Sequence, residues 1–316
     1  MAYSGDNLTA AESAGFTADK PMMVVQQINE AASVTSRWGT TGIHNSGSDN
    51  TNAATPASRA HDEFGSIVTA SASIKTTTPR YYNLYLSGSI TFDTLLITSH
   101  NFASTGVTSV SLEISNASDY GSSGGDLTVE IGKWERGSVT ADSRILITNL
   151  NNEGGSSDAY SAGGTAQRYS SVVYARLKIV GAGSSENQMG ELWLGHRYQL
   201  QRNPDIPWNN KNEASLAADY VSNSGITKRY TFYRGQALRT FQASIAAAAE
   251  ITVIDGWFNA INEGTRPFVY IETPSSSAQA IVVILDDAGL SFPLVGPTER
   301  RLAFSMTEQP PFLSRE

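Results

Sequence analysis

The sequence has no cysteine. That excludes disulfides, thiolate metal sites and a cysteine nucleophile at once. It fits a chain made in a reducing cytoplasm, or one indifferent to redox state. Charge is also scarce: 16% of the 316 residues are Asp, Glu, Lys or Arg, against about a quarter in an ordinary domain. Ser, Thr, Asn, Gly and Ala fill the gap, as in β-rich chains with many turns. What charge there is leans acidic, to a net −8. Without a basic excess, neither nucleic acid nor an anionic membrane surface is an expected partner. No window approaches about 18 consecutive apolar residues, so no membrane span is expected. The N-terminal residues lack the basic segment and apolar run of a secretory signal. His44, His61, His100 and His196 are scattered, with no pair at helical metal spacing and no H-E-x-x-H. P-loop, dinucleotide and EF-hand signatures are missing too. No metal and no cofactor is therefore expected.

What is present is mostly strand. The chain is longer than one core usually accommodates, so two domains are the first expectation. The seam runs from Ile179 to Trp208. Within it Leu192, Trp193 and Leu194, closed by Gly195, suit a last buried strand that ends in a turn. Pro204 and Pro207 then disfavour helix and central strand, so residues 201–212 read as a stiff connector. The expected division is an arm at 1–20, a β-sandwich at 21–200, that connector, and an α+β domain at 213–316.

Before the seam, residues 21–28 carry the run Met22, Met23, Val24, Val25, where strand and helix compete. Residues 39–62 are a long polar loop with little to bury. Tyr81, Tyr82, Leu84 and Tyr85 mark a strand rich in aromatics, and Ile90, Phe92, Leu95 and Ile97 continue the strand pattern. Val110, Leu112 and Ile114 alternate strictly, as do Val173, Ala175, Leu177 and Ile179. Such strands with Gly/Ser/Asn turns predict an antiparallel sandwich. After the seam, Ala243 to Ala249 is helix-permissive. Ile251, Ile254, Trp257, Phe258 and Ile261 fall on one helical face, with Gly264 as a stop. Strands follow at 268–272, 280–285 and 301–307.

No catalytic motif stands in its required context. Gly121-Ser-Ser-Gly-Gly125 satisfies G-x-S-x-G but lies in a Ser-rich turn before a β run, not between strand and helix. Asp286 and Asp287 are adjacent on a turn, and neither they nor Asp205 indicate two carboxyls facing across a cleft. Trp38, Trp134 and Trp208, with Tyr81, Tyr82 and Tyr85, are of a type that stacks on sugars; the plainer reading is core or interface. His100 and Asn101, at a predicted strand end, are the candidate ligand contacts at a sandwich rim. The plainer reading for His100 is a turn histidine held by local hydrogen bonds.

The run from Tyr81 to Ser115, with Leu95-Leu-Ile-Thr-Ser-His-Asn101 and Val110-Ser-Leu-Glu-Ile114, resembles the galactose-binding-like jelly roll of tailed-bacteriophage virion proteins. Gly190-Glu-Leu-Trp-Leu-Gly195 is similar to the close of the same module. The stretch from Leu238 through Trp257-Phe258 to Phe268 is similar to the ring-forming domain of distal and minor tail proteins. This resemblance implies a mainly β chain, a jelly-roll sandwich followed by a small α+β assembly domain. It implies a structural, non-enzymatic component of the virion tail tip or an adjoining part, assembled in the host cytoplasm. Its partners would be other tail proteins, further copies of itself as a homo-oligomer, and a host-surface glycan. In related sandwiches a sugar or calcium site sits at a loop rim, but no such ligand set matches here residue by residue. A carbohydrate-binding module or lectin is the alternative, and a polysaccharide-degrading enzyme the third.

Overall fold

The computed structural model describes residues 20–28, 33–39, 69–70, 80–98, 100–115, 132–137, 145–148, 169–181, 187–200, 209–212, 217–221, 227–231, 237–245, 248–271, 280–286 and 300–308. The arm at 1–19, most of the 39–62 loop, the Gly121–Gly125 turn, Pro204, Asp205, Pro207, Asp287 and the tail at 310–316 lie outside them. In chain order the strands are β1 (Met22–Gln26), β2 (Ser33–Gly39), β3 (Thr69–Ala70), β4 (Arg80–Phe92), β5 (Thr94–Thr98), β6 (Val107–Ser115), β7 (Gly132–Gly137), β8 (Ile145–Thr148) and β9 (Tyr169–Gly181). They continue as β10 (Gln188–Met189), β11 (Glu191–Gln199), β12 (Asn209–Asn212), β13 (Ala217–Val221), β14 (Thr227–Thr231) and β15 (Ala237–Ile245). The helix α1 (Ala248–Ala260) precedes β16 (Phe268–Ile271), β17 (Ala280–Leu285) and β18 (Arg300–Glu308). The chain is mainly β, as its alternating pattern predicts. Among the described residues no helix is long and apolar enough to cross a membrane.

Contacts divide the chain into two compact units: residues 1–197 with 271–280 and 311–316, and residues 198–270 with 281–310. In the first unit one sheet has the order β2-β4-β9-β6-β7. Facing it are β1, β11, β5 and β8, in that order. Successive strands cross between the layers, β4 to β5 to β6 and β8 to β9, which is jelly-roll wiring. One cluster joins both layers. Tyr82, Leu84, Leu86, Leu112, Ile114, Leu177 and Ile179 come from the five-stranded sheet, and Leu95, Ile97, Leu192 and Leu194 from the other. Each such side chain, fully buried, contributes roughly 1.5–3 kcal/mol. The two-residue period therefore fixes which face of β4, β6 and β9 turns inward.

Strand wins over helix at 21–28, because every residue of β1 is buried and a Met-Met-Val-Val run suits a strand covered on both faces. The Gln26 carboxamide completes its attachment to β11. Its Nε2 donates to the Leu192 carbonyl at 2.8 Å, and its Oε1 accepts from the Leu194 N–H at 2.9 Å.

The sequence reading of Gly195 as the end of the strand is corrected by the structure. β11 runs on to Gln199, with Gly195 paired to Thr94. The glycine serves close approach instead. A Cβ there would lie 2.6 Å from Val24 Cγ1 and 3.0 Å from the Val25 carbonyl oxygen. Gly195→Ala should therefore lower stability by about 1–3 kcal/mol. Urea denaturation followed by circular dichroism checks this; a variant as stable as the parent would show that β1 yields without cost.

In the second unit the strand order is β12-β15-β18-β17-β16, with β13 and β14 as a separate antiparallel pair. Residues 209–212, expected within the connector, form β12 against β15. They contain no proline, so every N–H can enter the ladder. Ala243, expected to be helix-permissive, lies in β15 opposite Leu302. Ile254, Trp257 and Ile261 are fully buried, while Ile251 and Phe258 are half-buried. The Trp257 ring meets Phe268 edge-on at 5.1 Å and Phe304 at 5.2 Å. Past α1 the backbone turns left-handed at Asn262, Glu263 and Gly264, with φ of 50°, 56° and 92°. The stop read at Gly264 thus spreads over three residues. The Asn262 side chain steadies it by donating to Thr265 Oγ1 at 2.8 Å.

Candidate functional site

The antiparallel register sets three rows of side chains on the outer face of the five-stranded sheet. Residues paired across antiparallel strands share a face. One row is Asn83, Arg176 and Glu113. On one side of it stands Thr35, Tyr85, Tyr174. On the other stands Tyr81, Lys178, Ser111. These positions alternate with the inward Leu84, Leu112, Ala175 and Leu177, so the pattern that builds the core also builds this face.

The middle row is closed. Arg176 and Glu113 are buried, and the Arg176 Nε–H donates to Glu113 Oε2. The Arg176 guanidinium carbon also lies 5.0 Å from the centre of the Tyr81 ring, a cation–π contact. Asn83, Ser111 and Tyr81 are buried beside them. The row through Tyr85 is more open: Thr35 is exposed, and Tyr85 and Tyr174 are half-buried. Their rings stand 5.1 Å apart, tilted by 30°. Such a pair presents apolar ring surface and phenolic hydroxyls together, next to a fixed polar row.

His100 and Asn101, read from sequence as rim contacts, lie in the loop between β5 and β6. His100 is buried, stacked on Phe102 at 4.7 Å, and its Nδ1 accepts from the Phe102 N–H at 3.4 Å. Asn101 imitates a strand partner: its N–H donates to the Gln188 carbonyl at 3.4 Å and its Oδ1 accepts from the Gln188 N–H at 2.7 Å. Thr105 closes the same loop, its hydroxyl 2.8 Å from Asn187 Oδ1 and 3.0 Å from the Asn101 carbonyl. In this structure both His100 and Asn101 hold the loop.

A second polar constellation joins residues far apart in sequence. His196 Nδ1 lies 2.6 Å from Asp93 Oδ2, while Asp93 Oδ1 accepts from the Arg197 N–H at 3.0 Å and from Thr94 Oγ1 at 2.9 Å. Asp93 sits in the turn between β4 and β5, and its N–H donates to the Gly195 carbonyl at 2.9 Å. The pair thus clasps that turn to β11. Near the start of β4, burial lowers the Arg80 guanidinium below the usual arginine value by desolvation. Among the described residues no group of three or more His, Asp or Glu is placed to hold a metal ion. Asp286 bonds locally, accepting from the Thr307 hydroxyl.

Of the aromatic candidates, Tyr82 is in the core, and Tyr81 and Tyr85 lie on the outer face. Trp38 pairs in register with Tyr82 and Trp134 with Leu112, while Trp208 is outside the described residues. Sequence reasoning missed Tyr174, Arg176 and Glu113. The alternation on β9 and β6 marks them as outward-facing, but nothing local shows that Glu113 stands opposite Arg176.

No protein-family model matches the chain. No curated protein sequence matches it either. Solved structures do. The family 32 carbohydrate-binding module of C. perfringens NanJ, in complex with galactose, is 10% identical, with a TM-score of 0.35 over 56% of this chain and 98% of that one. A chitosan-binding module from a Paenibacillus sp. IK-5 chitosanase/glucanase is 16% identical, with a TM-score of 0.34 over 54% and 98%. The lectin domain of Lectinolysin, complexed with Lewis b, is 10% identical, with a TM-score of 0.35 over 54% and 98%. None of these three is a bacteriophage tail protein. At such identities and TM-scores the functional argument rests on this chain's own residues.

Proposed function

We propose that this protein is a non-catalytic glycan-binding β-sandwich whose saccharide lies on the outer face of the five-stranded sheet. The carrying observation is the half-buried Tyr85–Tyr174 pair beside the fixed Asn83–Arg176–Glu113 row. A sugar ring has an apolar C–H face and a rim of hydroxyls. Stacking on tyrosine answers the first, and polar side chains that reach the surface of the same face, Thr35 and Lys178, answer the second. The bonds found at Asp93–His196 and around His100 hold turns and loops, so no catalytic step is assigned to them.

The pair also supports the sheet, since directly opposed aromatics contribute roughly 0.2–1 kcal/mol. Binding and stability must therefore be read separately. A glycan array followed by calorimetric titration should find a saccharide ligand. Tyr85→Ala and Tyr174→Ala should each weaken it by about tenfold or more while circular dichroism stays unchanged. Incubation should release no new reducing ends. Binding indifferent to both tyrosines, or an array without a ligand, would overturn the proposal.

A second reading sets the same sandwich in a virion tail, touching the host surface. The division into two compact units favours it, because the second unit carries its own helix and core around Trp257 and would serve assembly. Solution mass at working concentration tests it: a closed homo-oligomer is expected, and a monomer at all concentrations would contradict it.

A further inference from the structure

We infer that the saccharide taken by this face is acidic, a carboxylated glycan rather than a neutral one; this rests on the glycan-binding reading above. The chain as a whole carries a net charge of −8. The outer face runs the other way. Arg176 and Lys178 stand on β9, in rows whose described members on β4 are the neutral Asn83 and Tyr81. Among the described side chains of these rows one acid, Glu113, stands against the two cations. Glu113 is already engaged by Arg176.

Lys178 is the informative residue. It is half-buried, and its cross-strand neighbours are Tyr81 and Ser111, both neutral. Among the described residues no ion pair reaches its ammonium group. A half-buried cation outside any ion pair interacts more strongly with an incoming carboxylate than a fully solvated one would. The five-stranded sheet spans four strand spacings, about 19 Å. That width suits an oligosaccharide lying across the strands rather than a single sugar. A neutral glycan would leave the Lys178 ammonium without a role.

The test uses the full chain and a panel of carboxylated oligosaccharides, of galacturonate, glucuronate and sialyl type. Each is titrated beside its own carboxyl-reduced, neutral form. The acidic member of at least one pair should bind about tenfold more tightly at low salt, and the ratio should shrink as salt rises. Lys178→Gln should bring that ratio toward one, and Lys178→Arg, which keeps the charge, should preserve it. If the neutral members bind as well as the acidic ones through Tyr85 and Tyr174, the inference fails while the platform reading survives. If Lys178→Gln leaves the ratio intact, the inference fails as well. If no pair binds and the neutral array is also empty, the glycan-binding reading itself falls.

Discussion

Glu113→Ala should lower stability by about 3–5 kcal/mol, because it strips a buried cation of its partner. Arg176 is fully buried, so its guanidinium cannot turn to water when the carboxylate is gone. The Tyr81 ring remains over it, but a cation–π contact of roughly 1–2 kcal/mol replaces only part of the lost ion pair. The double variant Glu113→Leu with Arg176→Met should recover most of the loss, since a buried pair exchanged for apolar groups of similar volume is often neutral or better. Urea denaturation of the parent, Glu113→Leu, Arg176→Met and the double variant completes the cycle, with Glu113→Ala measured beside it. Single and double variants of equal stability would mean that the row is more hydrated than its burial implies.

Trp257→Ala is expected to cost about 3–5 kcal/mol and to reduce folded yield. The indole is fully buried between α1 and its neighbours, with edge contact to Phe268 and a tilted contact to Phe304. Truncation removes both contacts and leaves a cavity among side chains already fixed by their strands. Trp257→Phe should cost much less. It keeps an aromatic ring in place and removes the buried Nε1–H, which has no hydrogen-bond partner among the described residues. Thermal unfolding of the two variants separates the cases. An unperturbed Trp257→Ala protein would mean that this part of the second unit collapses around the gap without loss.

Periodicity made much of this fold legible. The alternations at Val110, Leu112, Ile114 and at Ala175, Leu177, Ile179 named the inward faces of β6 and β9 correctly. Spacings of three and four did the same for Ile254, Trp257 and Ile261. Short apolar runs were ambiguous, as at β1, because a strand covered on both faces has no alternation to show. Gly195 was misread because a turn and a close backbone approach demand the same residue. The candidate site was legible only in part. Outward positions on one strand follow from the inward ones, so Tyr174, Arg176 and Lys178 were within reach. Their partners on β4 and β6 depend on register, which the order of residues along one strand does not encode. The same limit hid the Asp93–His196 clasp and the bond from Asn101 to Gln188.

The most direct test of the account is a crystal structure of the full chain with the tightest-binding saccharide of the panel. Density for the sugar against the rings of Tyr85 and Tyr174, with its acidic group toward Lys178, is the predicted result. Density confined to the loop of His100 and Asn101, with the tyrosine face empty, would contradict it.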